Sequence, residues 1–306
     1  MAGAHKDGRA TLLLTGATGF VGGALLHGLR ETDRLRCLVR DAGKLQEAEG
    51  IESIEADLGE VESLAPALEG VDEVYYLVHS MEPGVEGGFA DQDRRAAENF
   101  ARVASGCDVR RTIYLGGVIP DEEGSDHLDS RAEVERILGD ATPEFVGLRA
   151  SMIVGAGSAS FQTLVQLIDR LPVLLMPSWR ERRSQPVAID DVVAALIAAR
   201  KVDPDTYDIA GPESLKFEEL TETVAELLGQ EHRSLPLPFS NSRIEAAVAS
   251  AVVDEDTELL QPLMSGLHAD LMIEDNALES VFGVQPTPFR DAAEKAINAG
   301  ANAPVA

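Results

Sequence analysis

The chain is poor in thiols and in basic side chains, and each shortage closes off a class of function. Its two cysteines, Cys37 and Cys107, stand in apolar or loop contexts without metal-ligand spacing. They read as free thiols, and no disulfide framework is expected. The six histidines lack the paired spacing of a metal site, so no metal is expected. Basic residues are few: 26 against 53 acidic ones, a formal charge of −27. Such a surface repels polyanions, so neither nucleic acid nor an anionic membrane is expected as a partner. Only Lys6, Lys44, Lys201, Lys216 and Lys295 among the basic residues are lysines; the rest are arginines. High-GC coding or adaptation to a salty cytoplasm would each produce that pattern. Long hydrophobic runs are also missing. The most apolar windows, Leu171–Pro177 and Val192–Ala199, fall far below the ~18 residues of a membrane span, and Met1–Ala10 has no apolar signal core. These absences point to a soluble, cytoplasmic protein.

What is present is a chain of 306 residues, 44% hydrophobic, long enough to bury a sizeable core. Its first half alternates short apolar runs with helical stretches. Strands are expected at Thr11–Thr15, Leu35–Val39, Ile51–Glu55, Glu73–Val78, Arg111–Leu115 and Phe145–Leu148. Helices are expected at Val21–Arg30, Ser63–Leu68, Phe89–Ser105 and Ser130–Leu138. Strands that are apolar throughout, separated by helices, indicate an α/β doubly wound parallel sheet covered on both faces. The second half reads as helices at Ser158–Arg170, Asp190–Arg200 (capped by aspartate) and Lys216–Leu228, with short strands at Pro186–Ile189 and Tyr207–Ala210. Leu171–Ser184 reads as irregular, and residues from about Glu231 onward as mostly helical. The expected division is a dinucleotide-binding Rossmann domain, residues 10–154 plus 186–211, and a smaller, mostly helical substrate-binding region, residues 155–185 plus 212–300.

The most informative octapeptide is Thr15-Gly16-Ala17-Thr18-Gly19-Phe20-Val21-Gly22, between the first strand and the first helix. Gly16 allows a tight turn, Gly19 lets backbone approach a pyrophosphate, and Gly22 permits close helix–sheet packing. The helix N-terminus supplies unpaired N–H donors and partial positive charge for phosphates. At the end of the second strand an acid would favour NAD, but this chain has Val39-Arg40-Asp41, with Arg36 upstream. A guanidinium at Arg40 suits the 2′-phosphate of NADP. Asp41, one residue later, leaves NAD possible.

With these residues in hand, the chain resembles the short-chain dehydrogenase/reductase superfamily, in its extended and atypical, epimerase/dehydratase-like branches. TGATGFVG is similar to that family's TGxxGxxG. Ala56-Asp57-Leu58 resembles its G-D-L, which implies that Asp57 and Leu58 border the adenine. Leu148-Arg149 with Val154-Gly155-Ala156-Gly157, Pro186–Val192 and Tyr207–Gly211 resemble three later family motifs in the same order. The strand end Val78-His79-Ser80 falls where family members place residues beside the nicotinamide ribose. The implied cofactor contacts are therefore Gly16, Thr18, Gly19, Phe20, Val21, Gly22, Arg40, Asp57, Leu58, Val78, His79, Ser80 and Arg131.

The departures concern catalysis. The family uses a serine or threonine after the fifth strand and a Tyr-x-x-x-Lys on the next helix. Here Gly117 stands at the hydroxyl position, and the four-residue spacing survives as His127 and Arg131. An imidazole at His127 titrates near neutrality and exchanges protons readily. Arg131 suits ribose hydroxyls but cannot share a proton at any working pH. His79 is the second acid–base candidate. Tyr75 and Tyr76 lie on a buried strand with no lysine four residues on. Asp93 and Asn99 lie on the next helix, where Asn99 is expected to support packing.

The substrate wall is expected from Met152, Ser158, Phe161 and Trp179, beside Arg180, Arg182 and Arg183. Those arginines would clamp an anion or pair with surface acids. The apolar stretches Leu171–Met176 and Leu259–Met272 would form a pocket wall or a homodimer face. Asp190 and Asp191 match a family structural motif and are not read as catalytic. The function expected is an NADP-dependent oxidoreductase acting on a small carbonyl, alcohol or activated C=C substrate. Its rivals are a non-catalytic NADP-binding sensor, assembly or structural protein, and a non-redox epimerase or isomerase.

Overall fold

The computed structural model of the chain describes residues 10–30, 33–45, 50–79, 88–119, 126–170, 173–176, 178–230, 233–236 and 269–301. The first half builds β1 (Thr11–Thr15), α1 (Phe20–Leu29), β2 (Arg34–Val39), β3 (Ile51–Glu55), α2 (Val61–Leu68), β4 (Glu73–Tyr76), α3 (Gly88–Ala104), β5 (Arg111–Gly117), α4 (Asp126–Gly139) and β6 (Glu144–Ala150). The second half adds β7 (Ile153–Val154), α5 (Ala159–Arg170), β8 (Val173–Met176), β9 (Arg183–Ser184), β10 (Val187–Ala188), α6 (Ile189–Ala198), β11 (Thr206–Ile209), β12 (Leu215–Lys216), α7 (Phe217–Leu227), β13 (Arg233–Pro236), α8 (Ala277–Ser280) and α9 (Phe289–Ala301).

Seven strands form one sheet in the order β3-β2-β1-β4-β5-β6-β11, with every neighbouring pair parallel. Strand alternation decides which side chain meets which helix layer. Leu12, Leu14, Tyr75, Ile113 and Leu115 face Leu25 and Leu29 of α1 and Val192 and Leu196 of α6. Leu13, Val74, Tyr76 and Tyr114 face the opposite layer, with Leu64 of α2, Phe100 of α3 and Val134 of α4. Both faces are covered, which is why the centres of β1, β4, β5 and β6 are apolar or aromatic. The chain order reverses between β1 and β4, and this opens the crevice at the carboxyl ends where such folds bind ligands.

A third core joins α5, α7 and α9 through Phe161, Ile168, Leu220, Val224, Phe289 and Ala293. Side chains clamp the segment before α9 to the sheet. Asn276 takes the Ala210 N–H on Oδ1 (3.3 Å) and donates from Nδ2 to the Ala210 carbonyl (2.7 Å). Asp191 accepts from the Thr287 N–H (2.7 Å) and hydroxyl (2.9 Å), and Glu213 accepts from the Phe289 N–H (2.6 Å).

Three sequence expectations need correction. The stretch 171–184 is not irregular throughout, because β8 pairs in parallel with β13 and β9 pairs antiparallel with β12. Residues 233–236 are likewise strand rather than helix, stabilised by a partner some sixty residues away. Finally, α6 has Ala188 at its N-cap with no side-chain cap, since Asp191 is spent on Thr287 and Asp190 pairs with Lys295. The stretch Leu259–Met272 lies outside the described residues up to 268. Among the described residues, no helix is long and apolar enough to cross a membrane.

Candidate functional site

At the switch point, β1 runs into a turn built by glycine. Gly16 has φ +72°, and a Cβ on it would lie 2.9 Å from the Leu77 carbonyl oxygen. The turn therefore sits directly on the end of β4. Thr15 fixes the same junction: its hydroxyl accepts from the Leu77 N–H (3.0 Å) and donates to the Tyr75 carbonyl (3.2 Å). The Gly19 N–H donates to the Gly16 carbonyl (2.9 Å), and Gly19 is the N-cap of α1. No side chain caps this helix and no acid stands in its first turn. Gly22 is buried so tightly that a Cβ would lie 2.0 Å from the Gly16 oxygen. A helix brought this close, with exposed Thr18 and Gly19 at its start, offers open N–H groups and positive dipole to an anion. The ring of half-buried Phe20 backs the turn, packing over Gly155 and Gly157.

At the end of β2, Arg40 is exposed. The Asp41 carboxylate accepts from the Gly43 N–H (2.9 Å) and caps a short 3-10 turn, Ala42–Lys44. Arg36 is structural: it pairs with Glu52 (2.9 Å) and donates to the carbonyls of Ala67 (3.0 Å) and Glu69 (2.7 Å). Asp57 is exposed, with one oxygen on the Gly59 N–H (2.7 Å). Leu58 is buried, and Asn99 of α3 donates to its carbonyl (2.9 Å), holding the loop after β3 in place.

A buried polar cluster lies where β4, β5, α3 and α4 converge. His79 Nε2 is 3.0 Å from the Leu115 carbonyl. A carbonyl only accepts, so Nε2 carries the proton, and Nδ1 is the lone-pair nitrogen of the neutral ring. Nδ1 is buried, has no hydrogen-bond partner among the described residues, and lies 3.8 Å from Asp93 Oδ2. Asp93, 5% exposed, is 3.4 Å from the Ser130 hydroxyl, which donates to it. Next on α4, Arg131 has its Nε buried without a hydrogen-bond partner among the described residues. Its side chain runs beneath Gly117, where a Cβ would meet Cδ at 3.5 Å and Nη1 at 4.0 Å. Tyr114 donates its hydroxyl to the Arg131 carbonyl (3.1 Å) and packs edge-on against the His79 ring. Burial, then the Arg131 charge, hold the imidazole below its ordinary value against the pull of Asp93. Burial also lowers the Arg131 guanidinium.

The structure thus brings together His79, Arg131 and Gly117, and adds Asp93 and Ser130, to which the sequence reading assigned no role. A signal existed: Asp93 falls on the buried stripe of α3 with Ala96, Ala97, Phe100 and Ala104, and a carboxylate among alanines on an apolar face needs a partner. Val78 is half-buried at the end of β4. His127 lies in the first turn of α4, while its side chain, that of Trp179 and the whole of Ser80 lie outside the described residues.

The expected substrate wall is largely core. Phe161 is 2% exposed inside the third core, and Met152 packs against the same cluster. Ser158 is buried and donates to the Ile153 carbonyl (2.7 Å), shaping the turn into α5. The arginine run is paired: Arg180 with Glu181 and Glu218, Arg182 with Asp270, and Arg183 with the Ser214 carbonyl. A cavity of about 640 Å³ instead opens beside the phosphate turn, between Thr18–Phe20, Gly155–Gly157, Ala188–Asp190 and the α9 residues Ala292, Lys295 and Ala299. Among the described residues no group of acids, histidines and cysteines would hold a metal.

A parallel sheet with this switch point and this uncapped, glycine-packed helix start defines a dinucleotide-binding Rossmann domain. Residues 16–144 match the family model described as NAD(P)H-binding. The chain is 25% identical over 289 residues, 86% of its length and 71% of the relative's, to the mitochondrial NADH dehydrogenase [ubiquinone] 1 alpha subcomplex subunit 9 of Arabidopsis thaliana. It superposes on a nucleoside-diphosphate-sugar epimerase of Staphylococcus aureus with TM-score 0.76 at 20% identity, covering 93% of this chain and 99% of that one. An NADPH-dependent quinone oxidoreductase of Escherichia coli, complexed with NADPH, gives TM-score 0.73 at 20% identity, covering 92% and 98%. The chain carries an NAD(P)H-binding domain over residues 16–144 and shares its Rossmann-like fold with these solved structures.

Proposed function

We propose that the chain is an NADPH-preferring oxidoreductase that reduces a small carbonyl or related substrate at the carboxyl edge of its sheet. The observation that carries this reading is the buried cluster of His79, Asp93 and Arg131 under Gly117, on the same sheet edge as the phosphate turn. In this reading Gly16, Thr18, Gly19, Phe20, Val21 and Gly22 hold the pyrophosphate, and Asp57 and Leu58 border the adenine. Arg40 binds the 2′-phosphate. The Asp41 carboxylate takes the Gly43 N–H on one oxygen, which ties it to the short 3-10 turn after β2. Val78, His79, Ser80 and Arg131 border the nicotinamide end.

When bound, the dihydronicotinamide supplies the hydride. The Arg131 guanidinium stabilises negative charge as it grows on the substrate oxygen, and its permanent charge means that it does not give up a proton. The proton comes from an imidazole, His127 or His79. The region 155–185 plus 212–300, Trp179 included, supplies the substrate wall, and the protein works in the cytoplasm. The names of similar proteins, a ceramide reductase and a quinone oxidoreductase among them, support redox chemistry on a small molecule. The test is direct titration with NADPH and NADH, followed by NADPH oxidation against aldehydes, ketones and quinones. The reading expects NADPH to bind more tightly, and turnover to fall in Arg131→Ala and His127→Ala. Binding without turnover on the whole panel would sink it. One feature favours a second reading, a nucleotide-binding sensor or structural subunit: glycine at position 117, where the family carries a hydroxyl.

A further inference from the structure

We propose that His79 is a proton store whose filling follows the charge bound beside Arg131, with Asp93 as its positioning residue. The inference rests on the oxidoreductase reading for the identity of the ligand, but the device itself stands on the buried cluster. Among the described residues, three elements bring polar or charged groups against the imidazole. The strand β5 contributes the Leu115 carbonyl and the neutral Tyr114 phenol, α3 contributes Asp93, and α4 contributes Arg131. One carboxylate and one guanidinium balance each other, so the imidazole completes a neutral set when it carries a single proton. That proton is committed to the Leu115 carbonyl. Only Nδ1 can therefore gain or lose a proton, and among the described residues Nδ1 has no hydrogen-bond partner and lies 3.8 Å from a carboxylate oxygen. Burial in low dielectric makes each neighbouring charge count heavily. Negative charge arriving beside Arg131 offsets the guanidinium and lets Asp93 hold a proton on Nδ1. Positive charge arriving there expels it.

This coupling suits a reduction. The nicotinamide ring is neutral in NADPH and cationic in NADP+, so only the oxidised nucleotide brings positive charge beside Arg131, and Nδ1 holds its proton more readily with the reduced one. The substrate carbonyl carbon accepts the hydride pair, and the C=O π pair moves onto oxygen. That oxygen takes the Nδ1 proton by way of one bridging water. His79 returns to its neutral form, and solvent reloads it. Asp93 touches neither substrate nor nucleotide in this scheme. It sets the orientation of His79 and, through Ser130, of the helix turn that bears Arg131.

Calorimetric titration of the full chain with NADPH and with NADP+, at about pH 7 in buffers of differing ionisation enthalpy, counts the protons exchanged. The nucleotide 2′-phosphate itself titrates near about pH 6, equally in both, so the readout is the difference between them. Wild type should take up more proton with NADPH. The difference should vanish in His79→Gln, which keeps an N–H for Leu115, and in Asp93→Asn, and should survive in Asp93→Glu. Equal uptake with both nucleotides in wild type, or an undiminished difference in His79→Gln, would overturn the proposal. A second arm uses no nucleotide, so failure to bind one would count against the oxidoreductase reading alone. Long-range proton–nitrogen spectra of the histidine rings should show Arg131→Gln converting one imidazole to its cation at about pH 7, as His79 replaces the lost positive charge beside Asp93. Unchanged rings in that variant would overturn the store.

Discussion

Two adjacent glycines on α1 should respond to alanine with opposite signs. A Cβ at Gly22 would lie 2.0 Å from the Gly16 oxygen, 2.7 Å from the Gly16 carbonyl carbon and 3.1 Å from the Ala17 Cα, all of them backbone. No side chain can swing aside, so turn and helix must separate by about 1.5 Å to reach ordinary contact distance. Overpacking of this kind costs about 1–3 kcal/mol, and the helix-propensity gain of about 1 kcal/mol offsets only part of it. Gly22→Ala should therefore lower the melting temperature. It should also weaken nucleotide binding by roughly tenfold or more, about 1.4 kcal/mol, because the N–H donors at the start of α1 move with the turn. At Gly23 the nearest atom to an added Cβ is the Ala17 oxygen at 3.7 Å, an ordinary contact. Gly23→Ala should raise stability by about 0.4–1 kcal/mol through the unfolded state and leave nucleotide affinity alone. Thermal melts and fluorescence titration with NADPH on the two variants decide the matter. If Gly22→Ala melts and binds like wild type, or if both alanines do equal harm, the close-packed turn is not what holds the nucleotide.

Removing the Arg40 guanidinium should erase the proposed preference for NADP. A lost charge-assisted contact of about 1.5–3 kcal/mol lowers NADPH affinity roughly 10- to 100-fold in Arg40→Ala while NADH affinity holds, as parallel titrations would show. Arg200 bridges Asp33 (2.8 Å) and Glu73 (2.6 Å), whose side chains are 9% and 5% exposed, so Arg200→Met should cost about 3 kcal/mol in denaturant melts. Burial pushes the Cys37 thiol up to about 12 from 9.0. Its pKa is raised in the fold, so the stability it contributes is fully present below about pH 9 and is lost as pH rises towards about 12. Cys37→Ser should flatten that alkaline decline, and Cys37 should resist alkylation at about pH 8 until the chain unfolds. If the −27 charge is a salt adaptation, the melting temperature should climb through molar salt; a flat or falling curve would refute that.

Much of the first half was legible because its information is local. The strand–turn–helix around Gly16 is dictated by neighbours within eight residues, and β1, β2, β4, β5 and β6 each centre on an apolar or aromatic run. Long-range pairing was not legible. Nothing in Leu171–Ser184 reveals that 173–176 will find 233–236, because the stabilising partner lies outside any local window. The same holds for the site. His79, Asp93 and Arg131 occupy three elements, and their common cluster exists only once α3 and α4 pack on β5. Ser158 and Phe161 misled for the opposite reason. Family order placed them near the substrate, but a serine after a glycine turn finds its own backbone, and a phenylalanine on an amphipathic helix goes to the core.

The cavity beside the phosphate turn joins residues 18–24 to residues 287–299, which nearly the whole described chain separates. During synthesis α1 and the first strands leave the ribosome long before α9 does. The nucleotide turn can form early, since its contacts are to β4. The wall supplied by α9 must wait, held finally by Asn276, Asp191 and Glu213. A nascent chain would thus own a phosphate grip before it owns an enclosed chamber, and closure of that chamber would be among the last events of its folding.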